Sequence, residues 1–363
     1  MKKGSKRLLA LLLALTLMGS LLAVGASAAS GSTVKHYSVY VNLGDSIASG
    51  YGLPNDQTPK TIVPNSYGAR LAYAVQADYY YAYAQRGYRA AEVRMLLDNN
   101  YNGDALTDSA EMLEATANYT TSKSLKSQRK GYQQAVKSAD LITLDVGFND
   151  IWLPMKHYVN QWTENTVGAA LTFPVLSAQT VWEWTGEFMI NYAKVVDKIL
   201  ELNPDCTIIL VGSYNPCDTW SLTGMPIGYG KLIGPVYEAI NAYKKTIAAL
   251  HSSNCTYVDV SGVDVGTKQL DLSQGGFEPH PTKKGHEYMF NQIVAALPTG
   301  KRRSTTYPTL TKTRIVSQSV SGKWKKSNVY WVVLTKNGFV RNYTGKAWNS
   351  NGTYRVTHGM YRW

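Results

Sequence analysis

Three turns and one histidine carry the side chains in this sequence that are best suited to chemistry. Ser46 lies in LGDSIASGYG, residues 43–52, directly after a strand-like run. AQRGYRA places Gly87 after a second such run, and VGFND places Asn149 after a third. His280 stands between two prolines in FEPHPTKKGH, ahead of the last helix-like segment. A serine hydroxyl becomes a nucleophile when a base removes its proton, so these residue types indicate acyl transfer.

Each of these residues also has an ordinary structural interpretation. A serine after a strand often caps the next helix, and turns containing glycine commonly join strands to helices. The G-x-S-x-G elbow of α/β-hydrolases is absent, because Ala48 stands where its second glycine would be. The two prolines restrict the backbone around His280, which favours a fixed position for its imidazole.

A repeated strand–helix pattern positions these residues. Strand-like runs occur at residues 37–43, 77–85, 138–150, 206–216 and 255–262, and helix-like stretches lie between them. This alternation predicts a parallel sheet with helices on both faces. Ligands of such sheets bind outside the carboxyl ends of the strands, where Ser46, Gly87 and Asn149 are expected.

Together, these motifs resemble the SGNH, or GDSL, hydrolase family over residues 37 to about 298. Its four blocks occur in order as GDSIASG, Gly87, GFND and HPTKKG. The resemblance implies a flavodoxin-like three-layer α/β sandwich with a five-stranded parallel sheet, and a serine esterase or lipase without a metal or other cofactor. It implies that Ser46 is the nucleophile and His280 its base. The backbone N–H groups of Ser46 and Gly87 and the amide of Asn149 would form the oxyanion hole.

The sequence departs from the family at the third member of the triad. The usual aspartate, three residues before the histidine, is replaced by Phe277, which cannot orient an imidazole by hydrogen bonding. Glu278 is the nearest acid, and its spacing of two places it on the same side of an extended segment as His280. Three interpretations stay open: Glu278 orients His280, a backbone carbonyl does so, or Asp264 or Asp271 folds back.

The amino terminus predicts secretion. Four basic residues precede an apolar run from Leu8 to Val24, and Ala26–Ala28 fits a signal-peptidase site. We therefore expect residues 1–28 to be a signal peptide, with an uncleaved anchor helix as the alternative. No later segment is apolar for long enough to cross a bilayer, so no transmembrane anchor is expected after cleavage.

Charge divides the rest of the chain. Residues 29–300 hold 20 Lys and Arg against 25 Asp and Glu, whereas residues 301–363 hold 13 Lys and Arg and no acid. We expect a hydrolase domain at 29–299 and a small basic β-module at 300–363, in which Asn337-Gly338 predicts a hairpin. The module faintly resembles cell-wall-binding repeats of Gram-positive bacteria. An anionic cell-wall polymer is its expected partner and nucleic acid is not, with a solvated basic tail as the alternative.

Three cysteines, Cys206, Cys217 and Cys255, are too few for a disulfide scaffold. The first and last lie at strand-like runs, where buried free thiols or a single disulfide are expected. Tryptophans cluster in an aromatic insertion at residues 151–184, either as a subdomain core or as the lining of a cleft: Trp152, Trp162, Trp182 and Trp184.

The sequence thus predicts a secreted serine hydrolase that cleaves O-acyl esters of lipids or acylated polysaccharides and is associated with the cell wall. One alternative is a catalytically inactive carbohydrate- or cell-wall-binding protein on the same scaffold, which the missing aspartate favours. A peptidase or thioesterase using the same residues is the other.

Overall fold

A computed structural model gives the fold. It describes residues 34–53, 63, 65–77, 79–116, 121–154, 169–215, 229–265, 279–300, 311–316, 328–334, 340–346 and 360–361. Side chains are described up to residue 300, except within 169–180 and 229–233. The expected signal peptide lies outside these ranges.

Five parallel strands form the centre of the fold. They are β1 (Val39–Gly44), β2 (Tyr79–Ala82), β3 (Leu141–Asp145), β4 (Thr207–Val211) and β5 (Cys255–Val258). Their order across the sheet is β2-β1-β3-β4-β5. This is the strand order of flavodoxin-like sheets, whose ligands bind where the order reverses, between β1 and β3. The predicted fold class and five-stranded parallel sheet are confirmed.

Helices connect the strands. Their bounds are α1 (Ser46–Ser49), α2 (Tyr67–Ala74), α3 (Ala90–Leu97), α4 (Ala110–Ala115), α5 (Ser122–Ser138), α6 (Ala169–Leu202), α7 (Tyr229–Leu250) and α8 (Lys283–Ala296). Residues 148–154 are also helical. Helix α2 packs against α8, while α3 contacts α5 and α6, and α6 contacts α7.

The core lies between the sheet and these helices. Every residue of β3 is buried, and so is all of β1 after Val39. Strands covered on both faces have continuous apolar runs, which explains why LITL was readable as a buried strand. Each Leu or Ile that is buried here contributes about 1.5–3 kcal/mol to the free energy of folding. This burial holds the carboxyl ends of β1 and β3 in place.

Four further strands follow residue 300: β6 (Thr311–Val316), β7 (Asn328–Leu334), β8 (Val340–Lys346) and β9 (Met360–Tyr361). Each of these strands pairs antiparallel with the next one along the chain, as expected for hairpins. Strand β6 also pairs in parallel with β2 at Tyr79 and Arg314, so these strands extend the main sheet. The division of the chain at residue 300 stays a prediction.

Helix α6 begins at Ala169, inside the aromatic insertion expected at residues 151–184. Gly186 lies inside this helix, where a glycine costs only about 1 kcal/mol. A Cβ added at Gly186 would meet no atom within 4 Å. The second half of the expected insertion is therefore helical, and residues 155–168 lie outside the described residues.

The tryptophans of this region have different environments. Trp152 and Trp184 are half-buried and pack against the main core, whereas Trp182 is 46% exposed. Trp162 lies outside the described residues. Trp152 and Trp184 therefore extend the main core, and Trp182 does not.

Two of the three cysteines are described. Cys206 and Cys255 are buried free thiols at the start of adjacent strands. This agrees with the expectation of free thiols and not with that of a disulfide. Cys217 lies outside the described residues. No helix in the described ranges combines the length and hydropathy that a bilayer span requires.

Candidate active site

Ser46 is the first residue of the short helix α1 and follows β1 by a single residue. Asp45 caps this helix through a 2.8 Å hydrogen bond that its Oδ1 accepts from the N–H of Ile47. Gly50 ends the helix in the left-handed region, with φ of 79°, a conformation that suits glycine. The turn approaches β3 closely, since a Cβ at Gly44 would lie 2.5 Å from the carbonyl oxygen of Asp145. These constraints fix Ser46 at the sheet edge where ligands bind.

His280 meets Ser46 from a segment 234 residues away. Its Nε2 lies 2.9 Å from the Ser46 Oγ, within the range required for proton transfer to a general base. The Ser46 side chain lies in a largely enclosed position, since the residue is only 6% exposed. The structure therefore brings together the two residues that the sequence analysis placed at the centre of the chemistry.

Contacts on both sides of His280 hold its loop. The hydroxyl of Tyr214 donates to the carbonyl oxygen of Pro279 at 2.7 Å. Pro281 forms an antiparallel bridge with Val265. The adjoining Thr282 caps α8 by accepting from the N–H of Gly285 at 3.1 Å. These contacts hold the backbone on both sides of His280 and so position its imidazole.

The turn after β2 presents Gly87 with φ of 75°, a conformation that L side chains rarely adopt. A Cβ there would lie 2.9 Å from the Thr116 methyl group. Within the described part of the chain, no hydrogen bond uses the backbone N–H of Gly87 or of Ser46. Both groups are available to a ligand.

Asn149 and Asp150 clamp the same turn from the end of β3. The amide of Asn149 donates to the carbonyl oxygen of Tyr88 at 3.1 Å, which occupies one of its two N–H groups. Both carboxylate oxygens of Asp150 accept from the N–H of Ala90, at 3.0 and 3.1 Å, and so cap α3. Burial raises the pKa of Asp150 to about 7. Hydrogen bonds therefore join the turn that contains Gly87 directly to the turn that contains Asn149.

Two of the three carboxylates considered as partners of the His280 ring lie outside the described residues. Glu278, Phe277 and Asp271 all lie outside them. Asp264 is described, and its Oδ2 accepts a 2.6 Å hydrogen bond from the Thr282 hydroxyl. This carboxylate therefore contributes to the start of α8.

Three buried ionisable side chains surround the turn that carries Ser46. Asp45 and Asp145 are both buried, and burial together with their mutual repulsion raises the pKa of Asp45 well above its usual value. Lys244 is fully buried and donates to the carbonyl oxygen of Val211 at 2.8 Å. Burial lowers its pKa to about 8, against the opposing effect of the Asp145 and Asp45 charges. The lysine partly balances the two carboxylates.

Tyr51 and Arg86 are site residues that the sequence analysis missed. The Tyr51 ring meets the His280 imidazole edge-on, with centroids 4.7 Å apart and planes at 64°. The guanidinium carbon of Arg86 lies 4.3 Å from the centroid of the same Tyr51 ring. Both residues lie inside motifs that the sequence analysis used, Tyr51 in GDSIASGYG and Arg86 directly before Gly87. Only their proximity to those motifs could have indicated a role.

The second histidine of this region is structural. His286 is fully buried on α8, and its Nδ1 accepts from the N–H of Tyr67 at 3.3 Å. Burial lowers its pKa to about 3, so the ring is neutral. Among the described residues, no cluster of three or more His, Cys, Asp or Glu side chains could hold a metal ion.

These elements place a hydroxyl, a base and unpaired N–H donors at one sheet edge. This arrangement suits attack on a carbonyl carbon with stabilisation of the resulting oxyanion. No redox group or phosphate cradle is needed for such a reaction.

Known proteins were compared with this chain. The model of the GDSL-like lipase/acylhydrolase family matches residues 43–288. No curated protein sequence matches the chain. A phospholipase A1 from Streptomyces albidoflavus is similar in structure, with a TM-score of 0.47 and 15% identity over 72% of this chain and 100% of that one. An extracellular lipase from Streptomyces rimosus has a TM-score of 0.44 and 18% identity over 70% and 98%. A family two carbohydrate esterase from Clostridium thermocellum has a TM-score of 0.36 and 16% identity over 72% and 64%.

Proposed function

The chain belongs to the GDSL-like lipase/acylhydrolase family, whose members hydrolyse acyl esters, and from this premise we propose that it does so through an acyl-enzyme at Ser46. His280 acts as the general base. The observation that carries the proposal is the 2.9 Å distance between the Ser46 Oγ and the His280 Nε2.

The first step is attack of the Ser46 Oγ on the ester carbonyl carbon. The hydroxyl proton passes to the His280 Nε2 as the new C–O bond forms. The enclosed position of Ser46 supports this step, since charges that develop away from water interact more strongly with nearby dipoles.

Three donors stabilise the tetrahedral intermediate. They are the backbone N–H groups of Ser46 and Gly87 and the second amide N–H of Asn149. The first two are unused in the described part of the chain, and the Tyr88 carbonyl fixes the Asn149 amide. Each such donor lowers the barrier by about 3–4 kcal/mol in well-studied enzymes.

Collapse of the intermediate breaks the bond to the alcohol oxygen, which takes the proton from His280. Water then attacks the acyl-enzyme, again with His280 as base, and releases the carboxylic acid and Ser46. We propose Glu278 as the residue that orients the His280 ring, because it is the nearest acid in sequence and spacing in an extended segment allows the contact.

The substrate is an O-acyl ester of a lipid or of an acylated polysaccharide. We propose that the protein is secreted and that residues 301–363 hold it on an anionic polymer of the cell wall. Thirteen basic residues without an acid give this segment a strong attraction for such a polymer, and its ten aromatic residues offer faces that stack on sugars.

A set of acetyl donors tests the proposed activity. The purified protein and its Ser46→Ala variant are assayed on p-nitrophenyl acetate, an aryl thioacetate and p-nitroacetanilide. We expect the ester to be the preferred substrate and its hydrolysis to require Ser46. Preference for the thioester or the anilide would instead indicate a thioesterase or a peptidase. No Ser46-dependent hydrolysis of any donor would favour an inactive binding protein.

A further inference from the structure

Arg86 is a cation near the candidate catalytic residues, and within the described ranges it has no carboxylate partner. Arg86 directly precedes Gly87, and its guanidinium lies over the Tyr51 ring, whose edge contacts His280. Tyr51 is itself fixed, because its N–H donates to the Ser46 carbonyl oxygen at 3.0 Å. The Tyr51 ring therefore links the Arg86 guanidinium to the His280 imidazole.

Other buried or half-buried arginines in the described residues have acidic or carbonyl partners. Arg129, for example, donates to the carbonyl oxygens of Met95 and Asn99, at 2.6 and 3.2 Å. Arg89 pairs with Glu92 and Asp104, at 2.7 and 2.8 Å, and Arg94 lies 3.6 Å from Asp98. Arg86 has no ion pair and no hydrogen bond among the described residues, where the Tyr51 ring is its observed contact. Two buried carboxylates of the candidate site are engaged elsewhere, since Asp45 caps α1 and Asp150 caps α3.

The geometry of this contact leaves the guanidinium available for a ligand. An arginine over an aromatic face uses its flat surface for that contact and keeps its in-plane N–H donors free. These donors match the two oxygens of a carboxylate or a phosphate in a bidentate arrangement. The enclosed surroundings strengthen such a pair relative to one in open water.

We propose that Arg86 binds an anionic group of the substrate, a carboxylate or a phosphate, that lies near the scissile ester. Tyr51 holds the guanidinium in position for this contact. The preferred substrates are therefore anionic esters, such as acylated glycerophosphates or O-acylated uronic acids, and not neutral ones. This inference rests on the proposed ester hydrolase activity and specifies its substrate class.

Matched substrate pairs test the proposal in the full-length protein. The carboxylate pair is 4-carboxyphenyl acetate and the methyl ester of the same compound. The phosphate pair is dihexanoyl phosphatidylglycerol and dihexanoylglycerol, both as monomers in solution. The ratio of kcat/KM within each pair is measured for the wild type, Arg86→Gln and Arg86→Lys. Arg94→Gln is the matched control, because Arg94 also stacks on a tyrosine, Tyr101, at 4.0 Å.

We expect Arg86→Gln to lower kcat/KM on the anionic member of at least one pair by ten-fold or more beyond any change on the neutral member. The loss should lie mainly in KM, and Arg86→Lys should retain part of the anionic preference because the charge is kept. Raising the salt concentration should reduce the wild-type preference, and Arg94→Gln should leave the ratio unchanged. The pair that responds identifies the phosphate or the carboxylate as the source of the anion.

An equal loss on both members of each pair would overturn the inference, because Arg86 would then act by supporting Tyr51 and His280. An unchanged ratio in Arg86→Gln would overturn it as well. If Arg86→Gln does not fold, the test uses the wild type and Arg86→Lys. The inference then requires that the wild type prefers the anionic member of a pair, that salt reduces this preference and that Arg86→Lys retains part of it. Hydrolysis of neutral esters without an anionic preference defeats only this inference. A wild type that hydrolyses no ester defeats the proposed function and this inference with it.

Discussion

Asn149 donates its side-chain amide to the carbonyl oxygen of Tyr88 at 3.1 Å and so joins the turn after β3 to the turn after β2. Tyr88 directly follows Gly87, whose N–H is unused in the described part of the chain. One hydrogen bond therefore fixes the relative position of two of the three proposed oxyanion donors. Preorganisation of this kind reduces the cost of reorienting dipoles during the reaction.

Asn149→Ala should reduce kcat on p-nitrophenyl acetate by about 10²–10³-fold, with little change in KM, because the lost donor acts on the charge of the transition state. Asn203→Ala is the matched control. Its amide donates to the carbonyl oxygens of Val136 and Ala139 at the opposite edge of the sheet, so it should affect stability only. A large rise in KM in Asn149→Ala would argue for a substrate-binding role instead.

Glu278→Gln should lower kcat by on the order of 10³–10⁴ with a nearly unchanged KM, because an orienting carboxylate acts on the imidazole tautomer and on the imidazolium that forms. Steady-state kinetics on a soluble ester measures this effect. A variant that keeps most of its activity would favour a Ser–His dyad supported by a backbone carbonyl. Phe277→Asp would then test whether the usual family spacing raises the rate.

Asp150→Asn should change how stability depends on pH. Burial raises the pKa of Asp150 to about 7, while an unfolded aspartate titrates near 3.9. Between these values the folded state binds the proton and the unfolded state does not, so this group's contribution to stability falls as pH rises from about 4 to 7. The asparagine does not titrate, and its carbonyl oxygen still accepts from the Ala90 N–H.

Denaturant unfolding of both proteins at pH 4, 5.5, 7 and 8 measures this difference. The free energy of unfolding of Asp150→Asn should rise relative to that of the wild type between pH 4 and 7, and then level off. A constant difference across this range would mean that the Asp150 pKa is not raised.

A chain ending at Gly300 tests the role of residues 301–363. This end keeps the bridge between Val34 and Thr299. The shortened protein should hydrolyse soluble esters and lose sedimentation with purified cell walls at low salt. The shortened protein also lacks β6, which pairs with β2 of the main sheet. A full-length variant with Lys323, Lys325 and Lys326 changed to Gln is therefore the second test, and it should sediment less than the wild type. Equal sedimentation of all three proteins would exclude an anchoring role.

Much of the fold was predictable because the strands are covered on both faces. Runs such as LITL and TIILV are apolar apart from one threonine each, and helix-like stretches lie between such runs. The turn residues followed from the same pattern, since Ser46 and Asn149 lie in the turns that follow β1 and β3.

Contacts between distant segments were not predictable in the same way. Nothing local in the sequence indicates that Tyr51 packs against His280, or that the buried Lys244 lies near Asp145, because these contacts form only when the sheet assembles. The extent of α6 was not predictable either. Residues 151–184 were expected to form an insertion, whereas α6 covers the second half of that range and continues through Gly186, because a glycine inside a helix costs only about 1 kcal/mol.

Labelling with a fluorophosphonate tests the central claim most directly, because this probe reacts with a serine only when a base and an oxyanion site activate it. Peptide mapping of the labelled protein should identify Ser46 alone. Ser46→Ala should abolish both labelling and esterase activity. Ser49→Ala, the matched control on the same turn, should retain both, since the Ser49 hydroxyl donates to the Ser46 carbonyl oxygen and not to the candidate base. Labelling at Ser49, or full esterase activity in Ser46→Ala, would contradict the account.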